Sequence, residues 1–387
     1  MKIETLLSCS GCNACNSICP KSAITMETNY EGFLYPVIDS KNCIKCGLCE
    51  KVCPSLDPIN KNVENTTAFA VINKNEIIRS DSSSGGVFTA LAEEIINNKG
   101  IVFGAKFADD FSVIHSWTDN LEGLADFRGS KYLQSIIGNA YKECKNFLES
   151  GNKVLFTGTP CQIQGLLKYL NKEYDNLITV DFICHGVPSP LLWTKYIKFR
   201  EKKSASRTLK TAFRRKNDGW KLYSVLFTFA NNTEYRASLK KDPYMQMFLK
   251  DIALRESCYQ CSCRGIERPS DITIADFWGI QNIFPELDDD KGISLVLFHS
   301  HNGKELLNTV LKECVSKEVQ MDLCIKYNPA IINSPKRPKQ RDSFYLDLAK
   351  KNINKIIYKY VVTPVWLRSY RFIRRIYNKL KIILNGS

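Results

Sequence analysis

Eight cysteines near the start of the chain have a spacing that suits iron–sulfur chemistry. They form two runs with the same pattern, C-x2-C-x2-C-x3-C-P. A tight loop of this kind supplies three thiolates to one cube, and the cysteine before proline reaches across to the other cube. We therefore predict two 4Fe-4S clusters, the first held by Cys9, Cys12, Cys15 and Cys53 and the second by Cys43, Cys46, Cys49 and Cys19.

Zinc is the main alternative for cysteines in such runs. Structural zinc sites typically combine two C-x2-C pairs across a longer spacer. Here a triple is repeated, and each triple finishes with the x3-Cys-Pro step. The duplication therefore favours two cubes in one small fold, which transfers single electrons and leaves any bond chemistry to the rest of the chain.

The composition is that of a folded intracellular protein. Of the 387 residues, 44% are hydrophobic and 16 are cysteine. No apolar run approaches the roughly 18 residues of a membrane span, and no signal-peptide pattern precedes Cys9. Because the cytosol keeps thiols reduced, so many cysteines favour metal binding over disulfides. We expect a cytoplasmic protein.

The excess positive charge is concentrated at the C-terminal end. Residues 335–387 hold 14 Lys and Arg and two Asp, which accounts for +12 of the net charge of +14. The remaining residues are nearly neutral and lack the distributed basic surface of a nucleic-acid-binding protein. Nucleic acid is therefore not an expected partner.

Periodicity and turn residues indicate the elements that must position the cysteines. A polar, proline-containing segment at 58–67 separates the cysteine runs from an alternation of strands and helices. Strands are predicted at 23–26, 32–39, 68–72, 101–107, 113–117, 154–156 and 178–183, and helices at 86–97, 161–170, 344–361 and 365–384.

This pattern predicts a fold of the α+β and α/β classes. We expect a two-cluster ferredoxin-like domain at 1–57 and a linker at 58–67. An α/β body follows, with an N-terminal part at 68–150 and a C-terminal part at 151–332. A basic helical tail occupies 333–387.

Four cysteines in the body could hold a third cluster. Cys161 lies in the first turn of a predicted helix, where the helix dipole favours the thiolate. Cys258 and Cys261 have the spacing of metal ligands, and Cys184 lies in a Cys-His-Gly turn. We predict a third 4Fe-4S cube on these four residues.

The ligand set of the third cluster remains open at the level of sequence. Cys263 is a fifth candidate, because separated ligands cannot be ranked by spacing. The alternative metal is zinc, bound by Cys258, Cys261, Cys263 and His185. Three further cysteines have no partner cysteine at ligand spacing in the sequence. We interpret them as core or surface thiols, namely Cys144, Cys314 and Cys324.

Four separated segments carry a family resemblance. They are SSSGG at 82–86, FTGTPCQI at 156–163, DFICHGVPSP at 181–190 and CYQCSCRGIERPSDITIADFWG at 258–279. Together with the cysteine octet they resemble the beta-subunit family of coenzyme F420-reducing hydrogenase and dehydrogenase, which includes reductases of chlorophyll precursors. The resemblance covers about residues 1–330.

The resemblance implies a flavoprotein in which FAD lies beside a 4Fe-4S cluster. The residues support this, because small residues before a helix leave N–H groups free for a pyrophosphate. An ordinary serine N-cap is the alternative at 83–86. Lys131 and Tyr132, with Arg128, match a family segment and are the other flavin candidates, although a solvated Lys and a packed Tyr are the plain interpretation. The predicted FAD-binding residues are Ser83, Ser84, Gly85, Gly86, Lys131, Tyr132, Thr157, Gly158, Thr159 and Pro160.

The body also offers one candidate for proton transfer. His185 is the predicted catalytic general acid because it adjoins the predicted ligand Cys184, although a histidine in a glycine turn is often only a satisfied polar group. Residues 276–279 resemble the family's Asp-Phe-Trp-Gly turn, with Ala275 where glycine is usual. Trp278 could equally be a core residue.

The predicted function is that of an iron–sulfur flavoprotein oxidoreductase. Electrons would pass between the ferredoxin-type clusters and, through FAD, an organic hydride acceptor such as a deazaflavin coenzyme or another small conjugated molecule. The expected partner is a one-electron donor or acceptor, such as a ferredoxin or a partner redox subunit. The alternative is a non-catalytic relay subunit that hands electrons to another protein.

The basic tail has two open roles. Its two predicted helices are amphipathic and carry Trp and Tyr, a pattern that can bind an anionic membrane surface. On that interpretation the protein would be peripheral at the inner membrane face. Docking of the tail on the body or on a partner is the alternative.

Overall fold

A computed structural model describes residues 2–59 and 66–362 of the chain. The strands within these ranges are β1 Ile24–Thr28, β2 Leu34–Ile38, β3 Thr67–Asn73, β4 Ile101–Phe107, β5 Val113–Thr118, β6 Val154–Thr157, β7 Leu177–Phe182, β8 Thr208–Arg215, β9 Ser224–Phe229, β10 Glu234–Ser238, β11 Ile272–Asp276, β12 Ser294–Phe298 and β13 Cys314–Val319.

Helices connect and cover these strands. They are α1 Ala14–Ile18, α2 Leu48–Lys51, α3 Glu76–Asp81, α4 Val87–Asn97, α5 Leu121–Leu124, α6 Ala140–Glu149, α7 Pro160–Leu170, α8 Pro190–Ser204, α9 Pro243–Leu249, α10 His301–Val310, α11 Met321–Tyr327, α12 Arg341–Lys350 and α13 Ile353–Tyr360. None of these described helices is long and apolar enough to cross a membrane.

The N-terminal region has the ferredoxin-like arrangement that the duplication predicts. Strands β1 and β2 pair as an antiparallel hairpin between the short helices α1 and α2. The predicted strands and the helices at 86–97 and 161–170 agree with the structure to within two residues at each end. Their periodicity was informative because each of them buries one face or both.

The body is built on one eight-stranded sheet, in the order β13-β3-β12-β11-β7-β6-β4-β5. Its centre, β4, β6, β7 and β11, is parallel, and antiparallel strands lie on both sides. Both predicted parts of the body contribute strands to this sheet. The chain therefore has the mixed α/β body and helical C-terminal region expected from its sequence.

The parallel centre brings distant loops together. The carboxyl ends of β6, β7 and β11 lie at one edge of the sheet, and β3 runs in the same direction. The segments at 82–86, 157–160, 183–189 and 276–279 follow these strand ends. In open α/β sheets this edge is where ligands bind.

A second sheet, β10-β9-β8, was not predicted from the sequence. It is antiparallel and packs with α8 and α9 in an aromatic core that includes Trp193, Phe213 and Tyr244. Polar and apolar residues alternate less regularly at 208–238 than in the central strands, because both faces of β9 are largely buried. This sheet forms a wall above the ligand edge of the main sheet.

The tail differs from its prediction. The helix expected at 344–361 is two helices, α12 and α13, separated at Lys351 and Asn352, where the Asn352 side chain accepts the N–H of Lys355 and caps α13. Both pack on the aromatic core through Phe344, Leu348 and Ile356. Leu346, on α12, is 55% exposed. The helix predicted at 365–384 lies outside the described residues.

Candidate redox site

The two cysteine loops share one backbone conformation. Positive φ values occur at the second and fourth positions after the first cysteine, at Gly11 and Asn13 in one loop and Lys45 and Gly47 in the other. Left-handed residues turn the chain sharply, so each loop curls in the same way. Gly11 therefore corresponds structurally to Lys45, and Gly47 corresponds to Asn13.

The structure brings together the four thiols assigned to the first cube. Burial and then the nearby thiolates of Cys9 and Cys53 raise the pKa of Cys15 to about 12. Burial also raises the pKa of Cys12, which has Cys15 and Cys9 as neighbours. Converging thiols with raised pKa values need a cation to become ligands, and iron supplies that charge.

The second set lies around a small surface cavity. Cys19, Cys43, Cys46 and Cys49 all line it. Cys19 belongs to the first run and the other three to the second, so the structure places Cys19 beside the run to which the predicted crossing assigns it. Cys46 is exposed, which places this set at the surface.

The cysteines proposed for a third cube also converge, although they come from three elements. Cys161 begins α7, Cys184 follows β7, and Cys258 and Cys261 lie in and after a short 3-10 helix at Glu256–Gln260. Burial raises the pKa of Cys184, and the next contributions come from thiolates of the other three residues. Burial likewise raises the pKa of Cys161 to about 12, followed by the effects of Cys261 and Cys258.

Cys263 occupies a different position from these four. It hydrogen-bonds to Cys261 and thereby lowers the pKa of Cys261, whereas its own pKa is raised. Cys261 is thus the better thiolate and Cys263 the thiol that donates to it. Among the described residues, no three or more His, Cys, Asp or Glu side chains form a group disposed for one metal ion.

The first and third sets are neighbours across a helix contact. The Cys161 thiolate is among the charges that raise the pKa of Cys12. Helix α1 packs on α7 at Gly165, where a Cβ atom would lie 3.0 Å from the Cys12 Sγ and 2.9 Å from the Tyr141 hydroxyl. The absence of a side chain at Gly165 therefore permits the close approach.

A cavity of about 540 Å³ opens beside the third set, at the ligand edge of the sheet. This volume lies in the range of small-molecule and cofactor sites. Cys161 and Cys184 form part of its wall. Of the residues predicted to bind FAD or act as acid, the cavity is lined by Ser83, Ser84, Gly86, Lys131, Tyr132, Thr157, Gly158, Thr159 and His185.

Gly85 and Pro160 are not among the lining residues. The Gly85 N–H donates to the Ser294 Oγ, and a Cβ at this position would lie 2.4 Å from the Val71 carbonyl oxygen. Pro160 is buried at the first position of α7 and has no N–H to offer. Both residues shape the turns without facing the cavity.

The start of α4 offers an anion site within the cavity. Gly86, Val87 and Phe88 line the wall, and the first N–H groups of a helix have no partner inside the helix. Arg128 lies beside this turn and donates through Nε to the Thr89 Oγ1 at 3.2 Å. A phosphate here would meet both the helix dipole and a cation.

Two of the predicted flavin segments meet at this point. The Ser130 N–H donates to the Ser83 Oγ at 2.6 Å, and the two hydroxyl groups are 2.8 Å apart. Lys131, the next residue, donates to the carbonyls of Arg128 and Gly129. Burial lowers the Lys131 pKa to about 7, and the charge of Asp126 offsets this only in part.

The main role of the turn at 157–160 is to position Cys161, and it is less suited to donating N–H groups to a ligand. The Thr159 N–H donates to the Gln162 Oε1 at 2.9 Å, and its hydroxyl lies 3.1 Å from the Cys161 Sγ. Thr157 donates its hydroxyl to the Phe103 carbonyl. This turn is therefore better suited to positioning the thiol than to binding pyrophosphate.

His185 lies on the cavity wall next to Cys184. Its Nε2 is 2.5 Å from the Asp251 Oδ1, and its ring meets Phe248 edge-on with centroids 5.1 Å apart. The side chain is 42% exposed. The carboxylate fixes the ring orientation, as an orienting partner does for an acid or base.

One site residue, Arg214, could not be found from spacing or resemblance, and the structure adds contacts to the turn at 276–279. Arg214, on β8, pairs with Asp276 and donates to the Tyr132 hydroxyl at 3.4 Å. Trp278 stacks on Trp220 with centroids 4.7 Å apart and also lines the cavity. Asp276 thus anchors the Asp-Phe-Trp-Gly turn to the second sheet, a contact that no local pattern encodes.

The polar atoms of the cavity wall fit a ligand rich in hydrogen-bonding groups. The Ser10 Oγ, the His115 Nδ1 and the Asn328 Nδ2 are buried, line the cavity and have no hydrogen-bond partner among the described residues. Burial lowers the His115 pKa to about 4, so its ring is neutral. Unpaired buried polar atoms are costly, and the hydroxyl and phosphate groups of FAD would satisfy them.

Two family models match the chain. Residues 8–56 match the 4Fe-4S dicluster domain. Residues 151–322 match the family described as the C terminus of the beta subunit of coenzyme F420 hydrogenase/dehydrogenase. The two regions contain the cysteine octet and all four residues proposed for the third cube.

Similar proteins include a curated relative and a chain of a solved structure. A coenzyme F420-dependent sulfite reductase of Methanocaldococcus jannaschii is 27% identical over 195 residues, which is 49% of this chain and 29% of the relative. The chain thus spans less than a third of that relative's length. A chain of the F420-reducing NiFe hydrogenase complex of Methanosarcina barkeri is 16% identical, with a TM-score of 0.45 over 77% of this chain and 92% of the other. The matches of residues 8–56 to the 4Fe-4S dicluster domain and of residues 151–322 to the C-terminal family of the coenzyme F420 hydrogenase/dehydrogenase beta subunit identify this chain as an iron–sulfur redox protein.

Proposed function

We propose that this chain is an FAD-dependent oxidoreductase with three 4Fe-4S clusters. The observation that carries this proposal is that Cys161 and Cys184, two members of the third cysteine set, line the 540 Å³ cavity. The clusters would move electrons singly, and FAD, when bound, would exchange single electrons with them and a hydride with an organic acceptor.

The cysteine sets follow one another through the molecule. The second set lies at the surface, where Cys46 is exposed. Cys49 of this set is close enough for its thiolate to affect the pKa of Cys15 in the first set. Cys12 of the first set in turn neighbours Cys161 of the third. This order supports electron entry or exit at the second set and exchange with the cavity at the third.

The residues of the cavity have distinct roles in this proposal. The start of α4, with Arg128 and Lys131, would hold the pyrophosphate of FAD. His115, Ser10 and Asn328 would bind its other polar groups. His185, oriented by Asp251, would hold or deliver a proton at its free ring nitrogen. The wall formed by β8 to α9 would limit access of water.

The acceptor and the partner are proposed by class. The curated relative and the matched family both concern coenzyme F420, so a deazaflavin is the first acceptor to test. The exposed second set suits a one-electron carrier such as a ferredoxin or a partner redox subunit. A membrane contact through residues 363–387 stays a prediction, since these residues lie outside the described ranges.

The composition of the purified chain tests the proposal directly. Iron, acid-labile sulfide and flavin should be measured on protein prepared without oxygen. We expect about twelve irons, three cubes of four, and one FAD per chain. About eight irons and no flavin after reconstitution would contradict the proposal and favour the relay subunit.

Replacing Lys131 with methionine should weaken FAD binding by about tenfold to a hundredfold at pH 6, the value of a hydrogen bond to a charged group. In the free protein Lys131 loses its proton above a pKa of about 7. A bound phosphate favours the charged form, so FAD affinity of the parent protein should fall as the pH rises through 7. The dissociation constant, measured by flavin fluorescence between pH 6 and 9, should be nearly independent of pH in the variant.

The exposed Lys203 provides the control for this experiment, because it lies on α8 and does not line the cavity. Lys203→Met should retain both the affinity and the pH dependence of the parent. An unchanged pH profile in Lys131→Met would remove Lys131 from the flavin site.

Replacing His185 with glutamine should slow hydride-coupled reduction of the acceptor by about a hundredfold or more, the usual contribution of a general acid. Iron and flavin content should not change, because the side chain is neither a ligand nor a core residue. Asp251→Asn, which retains a hydrogen-bond partner for the ring, should have a smaller effect. Equal rates in the parent protein and in His185→Gln would exclude the histidine as the acid.

A further inference from the structure

Arg255 is a fully buried cation at the junction between the ferredoxin-like domain and the body. It is 0% exposed, and its guanidinium makes three hydrogen bonds. Nε donates to the Cys9 carbonyl at 2.8 Å, Nη1 to the Gln134 Oε1 at 2.9 Å and Nη2 to the Leu34 carbonyl at 2.9 Å. All three acceptors are neutral.

The other fully buried arginines have a carboxylate partner. Arg268 pairs with Asp181 at 3.1 Å, and Arg341 pairs with Glu31 at 2.7 Å. Within residues 2–59 and 66–362, no carboxylate forms an ion pair with Arg255, and its additional contacts are the rings of Tyr35 and Phe33. A buried cation without a counter-charge is costly, so this position requires an anion.

The cysteine sets supply that anion when iron is bound. A cube held by four thiolates carries net negative charge, and one further negative charge on reduction. Arg255 touches the first set through the Cys9 carbonyl. On its other side its own carbonyl accepts the N–H of Cys258, a residue of the third set. The guanidinium also acts electrostatically on the thiols of Cys161 and Cys258.

The local packing keeps the guanidinium in this place. Gln134 accepts from Arg255 and donates to the Ser10 carbonyl at 3.1 Å, so it bridges the cation and the first cysteine loop. A Cβ at Gly11 would lie 2.4 Å from the Gln134 Nε2 and 2.9 Å from the Arg255 Nη1. The loop, the amide and the cation therefore form one closely packed unit.

We propose that Arg255 is a positioning residue that serves as the shared counter-charge of the first and third clusters. This inference rests on the proposed function, because it needs the third cluster. A fixed cation stabilises the more negative, reduced state, so Arg255 raises the reduction potentials of both clusters. Transfer between the two cubes would move one electron from one cube to the other, without a proton and without a change in covalent bonds. Arg255 would be the counter-charge of the electron before and after this transfer.

The test is an EPR-monitored redox titration of the full-length, cluster-loaded protein. Arg255→Gln removes the charge, Arg255→Lys retains it, and Gln134→Glu places a carboxylate against the cation without removing it. We expect Arg255→Gln and Gln134→Glu to shift the first and third clusters to more negative potentials. The second cluster should not move, and Arg255→Lys should restore most of the parent value.

Arg341→Gln is the matched control, because it also removes a buried arginine that docks the ferredoxin-like domain. A potential shift of the same size in this variant would mean that loosened docking is the cause, which would overturn the proposal. Unshifted potentials in both Arg255→Gln and Gln134→Glu, with about twelve irons present, would overturn it as well. About eight irons in the parent protein would instead overturn the third cluster of the proposed function, and the shared role with it.

Discussion

Replacing Cys161 with alanine is expected to reduce the iron content from about twelve to about eight atoms per chain. Cys161 is the residue of the third set that starts α7, neighbours Cys12 and lines the cavity. A cube needs four thiolates, and the other members of the set cannot supply the missing ligand from their own elements. Iron and sulfide analysis with EPR of the remaining clusters measures this loss.

The same variant should interrupt electron transfer between the ferredoxin-type clusters and the cavity. The ferredoxin-type clusters should still accept electrons from a small reductant, because their eight cysteines are untouched. Exchange with the cavity should slow by more than a hundredfold, since the set that joins the two is gone. Stopped-flow absorbance can follow cluster and flavin reduction separately. Rapid flavin reduction in Cys161→Ala would show that the third set is not on the route.

Two cysteine variants serve as controls. Cys263→Ala should retain about twelve irons, because Cys263 acts as the hydrogen-bond donor to Cys261. Cys144→Ala should also retain them, because this thiol is fully buried in the core around α6. Loss of one cluster in Cys263→Ala would instead place this residue among the ligands.

The second large effect concerns the attachment of the ferredoxin-like domain. Glu31→Ala is expected to destabilise the docked protein by about 3–5 kcal/mol, the usual cost of removing one partner of a buried ion pair. Glu31 accepts two hydrogen bonds from Arg341, at 2.8 and 2.7 Å, and the arginine side chain is 2% exposed. In the variant, Arg341 keeps an ion pair with Glu256, which is 3.0 Å away and partly exposed.

Denaturant unfolding and hydrogen exchange measure this effect. Protection of the β1–β2 hairpin should fall most, because Glu31 lies in its turn. Removing both partners in Glu31→Leu/Arg341→Leu should recover much of the loss, since no unpaired charge remains. The exposed pair of Lys317 and Glu286 gives the comparison, and Glu286→Ala should cost far less than Glu31→Ala. Equal effects of Glu31→Ala and Glu286→Ala would contradict the role of the buried pair.

The tail has a structural role that its composition did not reveal. Arg341 lies at the start of α12, so the segment expected to carry surface charge also holds the ferredoxin-like domain against the body. Basic residues on amphipathic helices are compatible with membrane binding and with docking. The described part of the tail docks, because Phe344, Leu348 and Ile356 find an aromatic core beneath them.

The sequence by itself determined the features that depend on neighbours in the chain. The ligand runs of the two cubes span eleven residues each, so spacing alone identified the dicluster domain that the family match confirms. The central strands β4, β6 and β7 and the helices α4 and α7 were predictable for the same reason. A buried strand or a one-sided helix imposes its period on a short stretch of sequence.

The tertiary structure decided everything that depends on which strands lie side by side. Cys161 and Cys184 meet because β6 and β7 are adjacent and parallel. Cys258, 97 positions after Cys161, comes from the segment after α9, where Leu254 bridges to Pro188. Arg255 and Gln134 carry no local signal, and both donate to carbonyl groups of the ferredoxin-like domain. Spacing encodes contacts within one loop, whereas contacts between loops depend on the order of strands in the sheet, which no short pattern records.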